Sequence, residues 1–406
     1  MWEAIQRNKR KSVLLIIVMG FILIALGASI GGAFLGQQEG VLGGIFIAGI
    51  VWFFLTVIAM TQGRNILLAV SGAREISHDD APQLYNIVEE MRIAAALPAT
   101  PKVYIMETKA PNAFAVGNPE HAAVAVTTGL LSVLSRDELQ GVIAHEIGHI
   151  KNQDTKFMTI AGVMLGTIVI LADVFTRSMF YGSIGGGRRS SSSSRDGGNQ
   201  LQMIFFIVAI VLAILAPILA QIFYFACSRS REYLADASAA LFTRFPEGLA
   251  SALEKISSSS EKMADVNRIT APMYIINPMM AAKGSDAVSI FSTHPATGER
   301  VKILRSMAGG AGLGDYNRAF EKTTGHEIIG ANSLRSAEEL EMRGIKSQEQ
   351  PVNTKKQTRE AIDILHRLNN FIFITCPCGL RLKIPPSFGE PTVKCPKCGA
   401  VHQIVK

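Results

Sequence analysis

Apolar and polar positions divide the chain into blocks of different kinds. Four apolar runs, at about residues 13–35, 42–60, 157–172 and 203–226, carry few charges. The first, second and fourth approach the roughly 20 residues that a helix needs to cross a bilayer. The third is shorter and ends near Asp173, which leaves a full crossing open. Residues 76–149 change to the pattern of a soluble domain. Asp79, Asp80 and Pro82 suit a first helical turn, and that helix is expected to stop at Pro98. Short runs with β-branched residues at 102–106 and 122–127, with 112–117 between them, read as strands. Ser135 and Glu138 form an S-x-x-E pair that starts a helix, and this helix leads into Val142-Ile143-Ala144-His145-Glu146-Ile147-Gly148-His149. Residues 228–237 again have a helical pattern. From Gly309 onward the chain is polar and charged and reads as a linker, with an amphipathic helix at about 358–368.

The composition agrees with membrane spans. Of 406 residues, 48% are hydrophobic and mean hydropathy is +0.26, more than an ordinary water-soluble chain carries. Arg7, Lys9, Arg10 and Lys11 precede the first run, so its start is expected inside. A cleavable signal peptide is the rival, with Ala28 and Ala33 near cleavage points, but its apolar core would exceed the usual roughly 7–15 residues. Residues 36–40 hold no Lys or Arg, as an outside loop should, and Arg64 marks the return. The Ser/Gly-rich stretch after the third run reads as a flexible loop. It brings Arg177, Arg188, Arg189 and Arg195 to a side that simple counting places outside, against the positive-inside tendency. The net charge of +7 does not point to nucleic acid, because the basic residues are scattered or flank apolar runs. Four of the five cysteines cluster near the C-terminus and Cys227 stands alone, which suggests metal ligands more than a disulfide framework.

Candidate chemistry centres on His145 and His149. Four residues apart on a helix, they share one face and can hold one zinc ion. Glu146 then lies beside the metal, where its carboxylate can take a proton from an attacking water and pass it to a leaving amine. Glu232 and Asp236, also one turn apart, follow the fourth run. Glu232 suits a third ligand, and Asp236 suits a hydrogen bond to the far nitrogen of a zinc-bound histidine, His145. A solvated helix face is the alternative for both acids. If Glu232 reaches the zinc, the third and fourth runs cross together or not at all. With His149 about eight residues before the third run and Glu232 about six after the fourth, the site should lie within roughly 10–15 Å of the membrane surface if those intervals are helical. The strand Asn112-Ala113-Phe114-Ala115-Val116-Gly117 can pair an extended peptide through its backbone, an ordinary sheet strand being the alternative. His294, in Ser292-Thr293-His294-Pro295, and Arg300 can each support an oxyanion, and a surface turn is the competing view. Cys376-Pro377-Cys378-Gly379 and Cys395-Pro396-Lys397-Cys398-Gly399 resemble a zinc ribbon, a closed four-thiolate site, with His402 in reserve because the first pair is C-x-C. A redox pair is the rival, but no thioredoxin-like pattern surrounds it.

Taken together, His145-Glu146-x-x-His149 and Glu232-x-x-x-Asp236 across an apolar hairpin resemble the HtpX-type membrane metalloproteases, relatives of the CAAX prenyl proteases. Asn112-Ala113-Phe114-Ala115-x-Gly117, Asn152-x-Asp154 and Thr293-His294-Pro295 match that pattern as well. The resemblance is close from about residue 73 to 305 and only general over the first two apolar runs. It implies a multi-pass zinc endopeptidase of the inner (cytoplasmic) membrane, its active site and tail facing the cytoplasm, which clears damaged or misassembled membrane proteins. His145, His149 and Glu232 are then ligands and Glu146 the base, while His294 steadies the transition state or occupies the open zinc position of a resting form. The tail departs from the family, whose usual member ends soon after the region of Arg300.

The expected fold is therefore α+β, a thermolysin-like zinc metalloprotease domain anchored by about four hydrophobic helices. Its divisions are an N-terminal hairpin (1–62), a first catalytic part (63–156), a hydrophobic hairpin (157–226), a second catalytic part (227–308), a linker (309–370) and a zinc ribbon (371–406). Zinc is expected at one catalytic and one structural site. Protein or peptide substrates and the lipid bilayer are the expected partners, with no nucleic acid. A membrane-anchored zinc-binding adaptor with a vestigial site is the alternative, and Glu146 speaks against it, because a structural zinc needs no general base.

Overall fold

Small residues let the first two apolar helices meet. The computed structural model describes residues 2–35, 38–185, 198–261, 263, 271–276, 295–307, 309–330, 334, 342–343 and 354–404. Helix α1 (Trp2–Leu35) and helix α2 (Gln38–Val70) cross where a Cβ on Gly31 would stand 2.1 Å from the Gly40 carbonyl oxygen, and one on Gly27 would stand 2.9 Å from that of Gly44. Only glycine allows backbones to approach so closely.

The end of α2 enters the soluble domain. A four-stranded sheet has the order β1 (Arg74–Glu75), β2 (Lys102–Met106), β4 (Ala123–Thr127), β3 (Ala113–Val116), with β2 and β4 parallel and the other pairs antiparallel. Alternate residues face opposite layers. Val103, Ile105, Val124 and Val126 pack against α3 (Pro82–Ala94) and α5 (Arg136–Lys151). Met106, Phe114, Ala123 and Ala125 pack against Leu67 and Leu68 of α2. The sheet is thus covered on both faces, once by soluble helices and once by a membrane helix.

Short α4 (Thr128–Val133) leads to Ser135, the N-cap of α5. Here the expected capping box forms, and Glu138 also accepts hydrogen bonds from Ser251 Oγ at 2.5 Å and Lys255 Nζ at 2.7 Å on α8 (Pro246–Ser257). Burial pushes the Glu138 carboxyl up, but Lys255, Ser251 and the Ser135 amide outweigh it and hold it below its ordinary value.

Between them lie the other two apolar helices, α6 (Asp154–Gly185) and α7 (Gly198–Thr243). Among the described residues, four stretches are long and apolar enough to cross a membrane: Ile5–Ala33, Glu39–Val70, Asp154–Arg177 and Met203–Ala220. The third is longer than its sequence pattern implies, because the polar residues at its start are accommodated internally. Thr155 donates to the Gly117 carbonyl at 2.6 Å and Thr159 to the Thr155 carbonyl at 2.8 Å. Only Asn152 and Gln153, the latter at φ +60°, separate α5 from α6.

Within the segment expected to form a linker, the described stretches 309–330 and 354–368 fold onto the core. After α9 (Thr297–Arg305), helix α10 (Leu313–Thr324) buries Leu313, Tyr316 and Phe320, and α11 (Thr354–Leu368) buries Ile364 and Leu365, all in the same cluster as Val142 and Ile147. The polar composition concealed apolar residues repeating at helical spacing. Arg7 of α1 donates to the Ile328 carbonyl at 2.7 Å, so this extension also reaches the start of the membrane bundle. Two hairpins follow, β5 (Ile372–Thr375) with β6 (Arg381–Ile384) and β7 (Thr392–Lys394) with β8 (Val401–Gln403). Asp363 of α11 holds the first hairpin through Lys383 at 2.5 Å and Arg381 at 3.6 Å.

Two outcomes follow from this packing. Phe320 is 2% exposed and meets Tyr233 of α7 edge-on at 4.8 Å. Phe320→Ala is therefore expected to destabilise the catalytic domain by about 3–5 kcal/mol, read from thermal unfolding in detergent. Because its folded pKa is lowered, ionised Glu138 contributes stability that is complete above its ordinary value of 4.5 and is lost as pH falls through the folded value. Glu138→Gln should accordingly melt below wild type at pH 7, with the gap closing in acid.

Candidate active site

His145 and His149 lie one turn apart on α5, and Glu232 faces them from α7. Gly148 makes this approach possible, since a Cβ there would sit 3.0 Å from Ser238 Cβ and 3.2 Å from the Ala235 carbonyl oxygen of α7. The two Nε2 atoms are 3.2 Å apart. Glu232 Oε2 stands 3.5 Å from His145 Nε2, and Glu232 Oε1 stands 3.3 Å from His149 Nε2. Donors at about 2.0–2.1 Å from a tetrahedral zinc ion are about 3.3–3.4 Å from one another, so the two imidazole nitrogens and the Glu232 carboxylate have close to the spacing zinc requires.

The surrounding charges also fit a divalent cation. Glu146, Asp154, Glu232 and Asp236 are each no more than 4% exposed, and so are Arg231 and Arg300. Four carboxylates against two guanidinium groups leave an excess of two negative charges in a region nearly closed to water. Burial lowers the basicity of both imidazoles, yet nearby carboxylates reverse the effect. Asp236 and Glu232 raise His145, while Glu232 and Asp154 lift His149 to about 10.

Each imidazole is held from behind by an aspartate. Asp236 Oδ1 is 2.9 Å from His145 Nδ1, and Asp154 Oδ2 is 3.3 Å from His149 Nδ1. Burial pushes Asp236 up, but Arg300 and His145 keep it below the usual carboxylate range. Arg300 lies on α9 and grips Asp236 with two hydrogen bonds, Nε to Oδ2 at 2.8 Å and Nη2 to Oδ1 at 2.6 Å. Its Nη1 is 3.4 Å from Glu232 Oε2. The guanidinium expected at a developing oxyanion is thus engaged behind the ligands. His294 lies outside the described residues.

Glu146, His149 and Glu232 line a cavity of about 30 Å³ together with Ala115, Met158 and Met273. That is room for about one or two water molecules. Ala115 lies on β3, at the edge of the sheet. Asn112 and Phe114 turn their backbone groups toward β4, whereas Ala113 and Ala115 turn theirs outward. Ile275 donates to the Ala113 carbonyl at 3.0 Å, and Asn112 Nδ2 donates to the Ile276 carbonyl at 2.8 Å, so residues 271–276 cover one end of the edge. Phe114 points away from the site and meets Tyr274 at 5.2 Å.

Sequence reasoning gave no role to Asp154 or Arg231. Asp154 sits five residues beyond His149, outside the helical i+4 register, and the Gln153 bend returns it to the imidazole. Its place in the Asn152-x-Asp154 pattern was the available signal. Arg231 was hidden by adjacency to Glu232.

The four C-terminal cysteines form a second cluster, their sulfur atoms all within 4.8 Å of one another. Cys376 and Cys398 are 3.3 Å apart and Cys378 and Cys395 are 3.7 Å apart, far beyond a disulfide's roughly 2.05 Å and close to the about 3.8 Å between thiolates on one zinc. Gly379 and Gly399, at φ +82° and +76°, close the two cysteine turns. The Cys398 amide, helped by that of Lys397 and opposed by burial, lowers the Cys395 thiol to about 6. His402 is not among the clustered ligands.

Comparison with known proteins accords with this geometry. Peptidase family M48 matches residues 78–308, an interval containing both ligand-bearing parts of the site. The HtpX protease homologue of Dictyoglomus turgidum is 46% identical over 309 residues, covering 75% of this chain and 94% of the relative. That of Listeria monocytogenes serotype 4a is 42% identical over 309 residues, covering 76% and 100%. The crystal structure of S. mikatae Ste24p aligns with a TM-score of 0.40 at 20% identity, covering 75% of this chain and 67% of that one. With a match running through both ligand-bearing helices and relatives aligned over nearly their whole length, this chain belongs to peptidase family M48 and is a membrane metalloprotease.

Proposed function

We propose that the chain hydrolyses peptide bonds in the loops or frayed ends of misfolded or damaged membrane proteins, at the cytoplasmic face of the inner membrane. The observation that carries this reading is the convergence of His145, His149 and Glu232 donors at 3.2–3.5 Å from one another, with Glu146 lining the adjoining cavity. Zinc held by these three residues would polarise the scissile carbonyl and acidify the attacking water. Glu146 then accepts the water proton and delivers it to the leaving nitrogen. The outward backbone groups of Ala115 pair with the extended substrate beside Glu146. Asp236 fixes His145 with its Nε2 lone pair toward the ion, and Arg300 acts through Asp236 and Glu232. His294 is assigned the support of the oxyanion.

Placement at the membrane favours membrane-protein substrates. Asp154, which touches His149, is the first residue of the apolar stretch Asp154–Arg177. The basic cluster Arg7 to Lys11 and the loop 36–40 without Lys or Arg support a cytoplasmic orientation for the catalytic domain and tail. Cys376, Cys378, Cys395 and Cys398 are assigned a structural zinc that shapes the small C-terminal module.

Detergent-purified chain is expected to cleave an unfolded model protein when zinc is supplied. Glu146→Gln should retain zinc and lose activity by at least about 100-fold, and a chelator should stop the wild type. Equal inertness of both proteins on soluble and membrane substrates would favour the zinc-binding adaptor. Elemental analysis should find two zinc ions per chain, falling to one in Cys395→Ser, with the remaining ion lost in Glu232→Gln.

A further inference from the structure

Asp154 and Arg231 lie at the mouth of the membrane hairpin. Asp154 is the first residue of α6, which enters the apolar stretch, and Arg231 lies on α7 between the other apolar stretch and Glu232. Asp154 presents one oxygen to each neighbour, Oδ2 at 3.3 Å from His149 Nδ1 and Oδ1 at 3.8 Å from Arg231 Nε. The aspartate is 3% exposed and the arginine 2%, so their charges are poorly screened. Nδ1 is the ring nitrogen remote from Glu232. A carboxylate there favours the tautomer that carries its proton on Nδ1 and its lone pair on Nε2, facing Glu232 and His145.

We infer that Asp154 and Arg231 form a positioning pair that orients His149 for metal binding and couples the metal site to the packing of α6 against α7. This inference rests on the assignment of His145, His149 and Glu232 as zinc ligands. His145 has its own aspartate and arginine, Asp236 and Arg300, but of these only Asp236 comes from a helix that enters the membrane, Arg300 lying on the soluble α9. For His149 the partners come from the two helices that enter the membrane. Neighbouring contacts hold the junction in place. Asn152 Nδ2 donates to Ser238 Oγ of α7 at 3.3 Å, and Thr155 fastens the first turn of α6 to Gly117 at the end of β3.

An acidic residue in the first turn of a helix is favoured by the helix dipole alone. That role would leave the carboxylate indifferent to His149 and zinc affinity unchanged by its loss. The positioning role gives the opposite result, and the coupling is reciprocal. A shift of α6 along α7 that withdraws Asp154 weakens zinc binding, and zinc binding favours the packed hairpin.

The test uses the full chain in lipid nanodiscs, with zinc affinity measured by competition against a chromophoric chelator and ligand geometry followed in the visible spectrum of the cobalt-substituted protein. Glu232→Gln identifies the binding step that belongs to this site. Asp154→Asn is expected to weaken that step by about 10- to 100-fold and shift the cobalt bands. Arg231→Met should weaken it in the same direction, with Arg231→Lys restoring most of the loss. Asp173→Asn, which removes an exposed carboxylate farther along α6, should leave both readings at wild-type values. Wild-type zinc affinity and an unchanged cobalt spectrum in Asp154→Asn would overturn the inference. If that variant does not fold, equal affinities for Arg231→Met, Arg231→Lys and wild type would overturn it instead. Wild type that binds zinc here but cleaves no substrate would refute the protease reading while leaving this inference standing, whereas absence of zinc binding at this site would refute both.

Discussion

Between α5, α6, α7 and α9, six charged side chains meet with almost no access to water. Four are carboxylates and two are guanidinium groups, an imbalance that an apolar interior cannot hold without compensation. Two protons on the imidazoles or one divalent ion can supply the missing positive charge. The donor spacing favours the ion, because two imidazole nitrogens and one carboxylate at 3.2–3.5 Å from one another converge on one coordination centre rather than two separate proton sites. Much of the architecture brings these groups together while keeping each partnered.

The requirement accounts for the way membrane and soluble parts are joined. Glu232 can reach His145 and His149 only if α7 returns from the membrane directly onto α5, and Gly148 removes the side chain that would obstruct it. The sheet is wedged between α5 and the end of α2, so the edge strand beside Glu146 is fixed relative to the bundle as well. Residues 309–330 complete the support, with Phe320 against Tyr233, the neighbour of Glu232, and Ile328 against Arg7 of α1. The C-terminal extension therefore buttresses the helix that supplies the third ligand, apart from whatever the cysteine cluster does.

How much of this was legible depended on periodicity. His145 and His149 announce themselves by i+4 spacing, as do Glu232 and Asp236, and the Ser135–Glu138 box marks the start of α5. Asp154 did not, because the positive φ of Gln153 breaks the register that would reveal its direction. Arg300 was visible as a functional guanidinium, but a side chain of that length can reach several targets, and only the docking of α9 selects Asp236. The 309–370 segment reads as a linker because it opens on glycines and is polar and charged. Leu313, Tyr316 and Phe320 nevertheless share one helical face, and three large side chains suffice to bury it. The β-branched residues of β4 mark it as a strand but give no sign that its alanine face is covered by a membrane helix.

The continuity of α7 has a mechanical consequence. From Ala220, where its apolar stretch ends, to Glu232 the helix contains neither proline nor glycine. This arm is about 18 Å long. A bilayer thinner than the apolar length of a helix is met in part by tilting that helix. Through an arm of this length a tilt of about 10° displaces the far end by about 3 Å, comparable to the separation between the donor atoms at the site. Membrane thickness thus acts on Glu232 as a lever acts on its load, and the lipid composition around the bundle becomes a variable of the catalytic geometry.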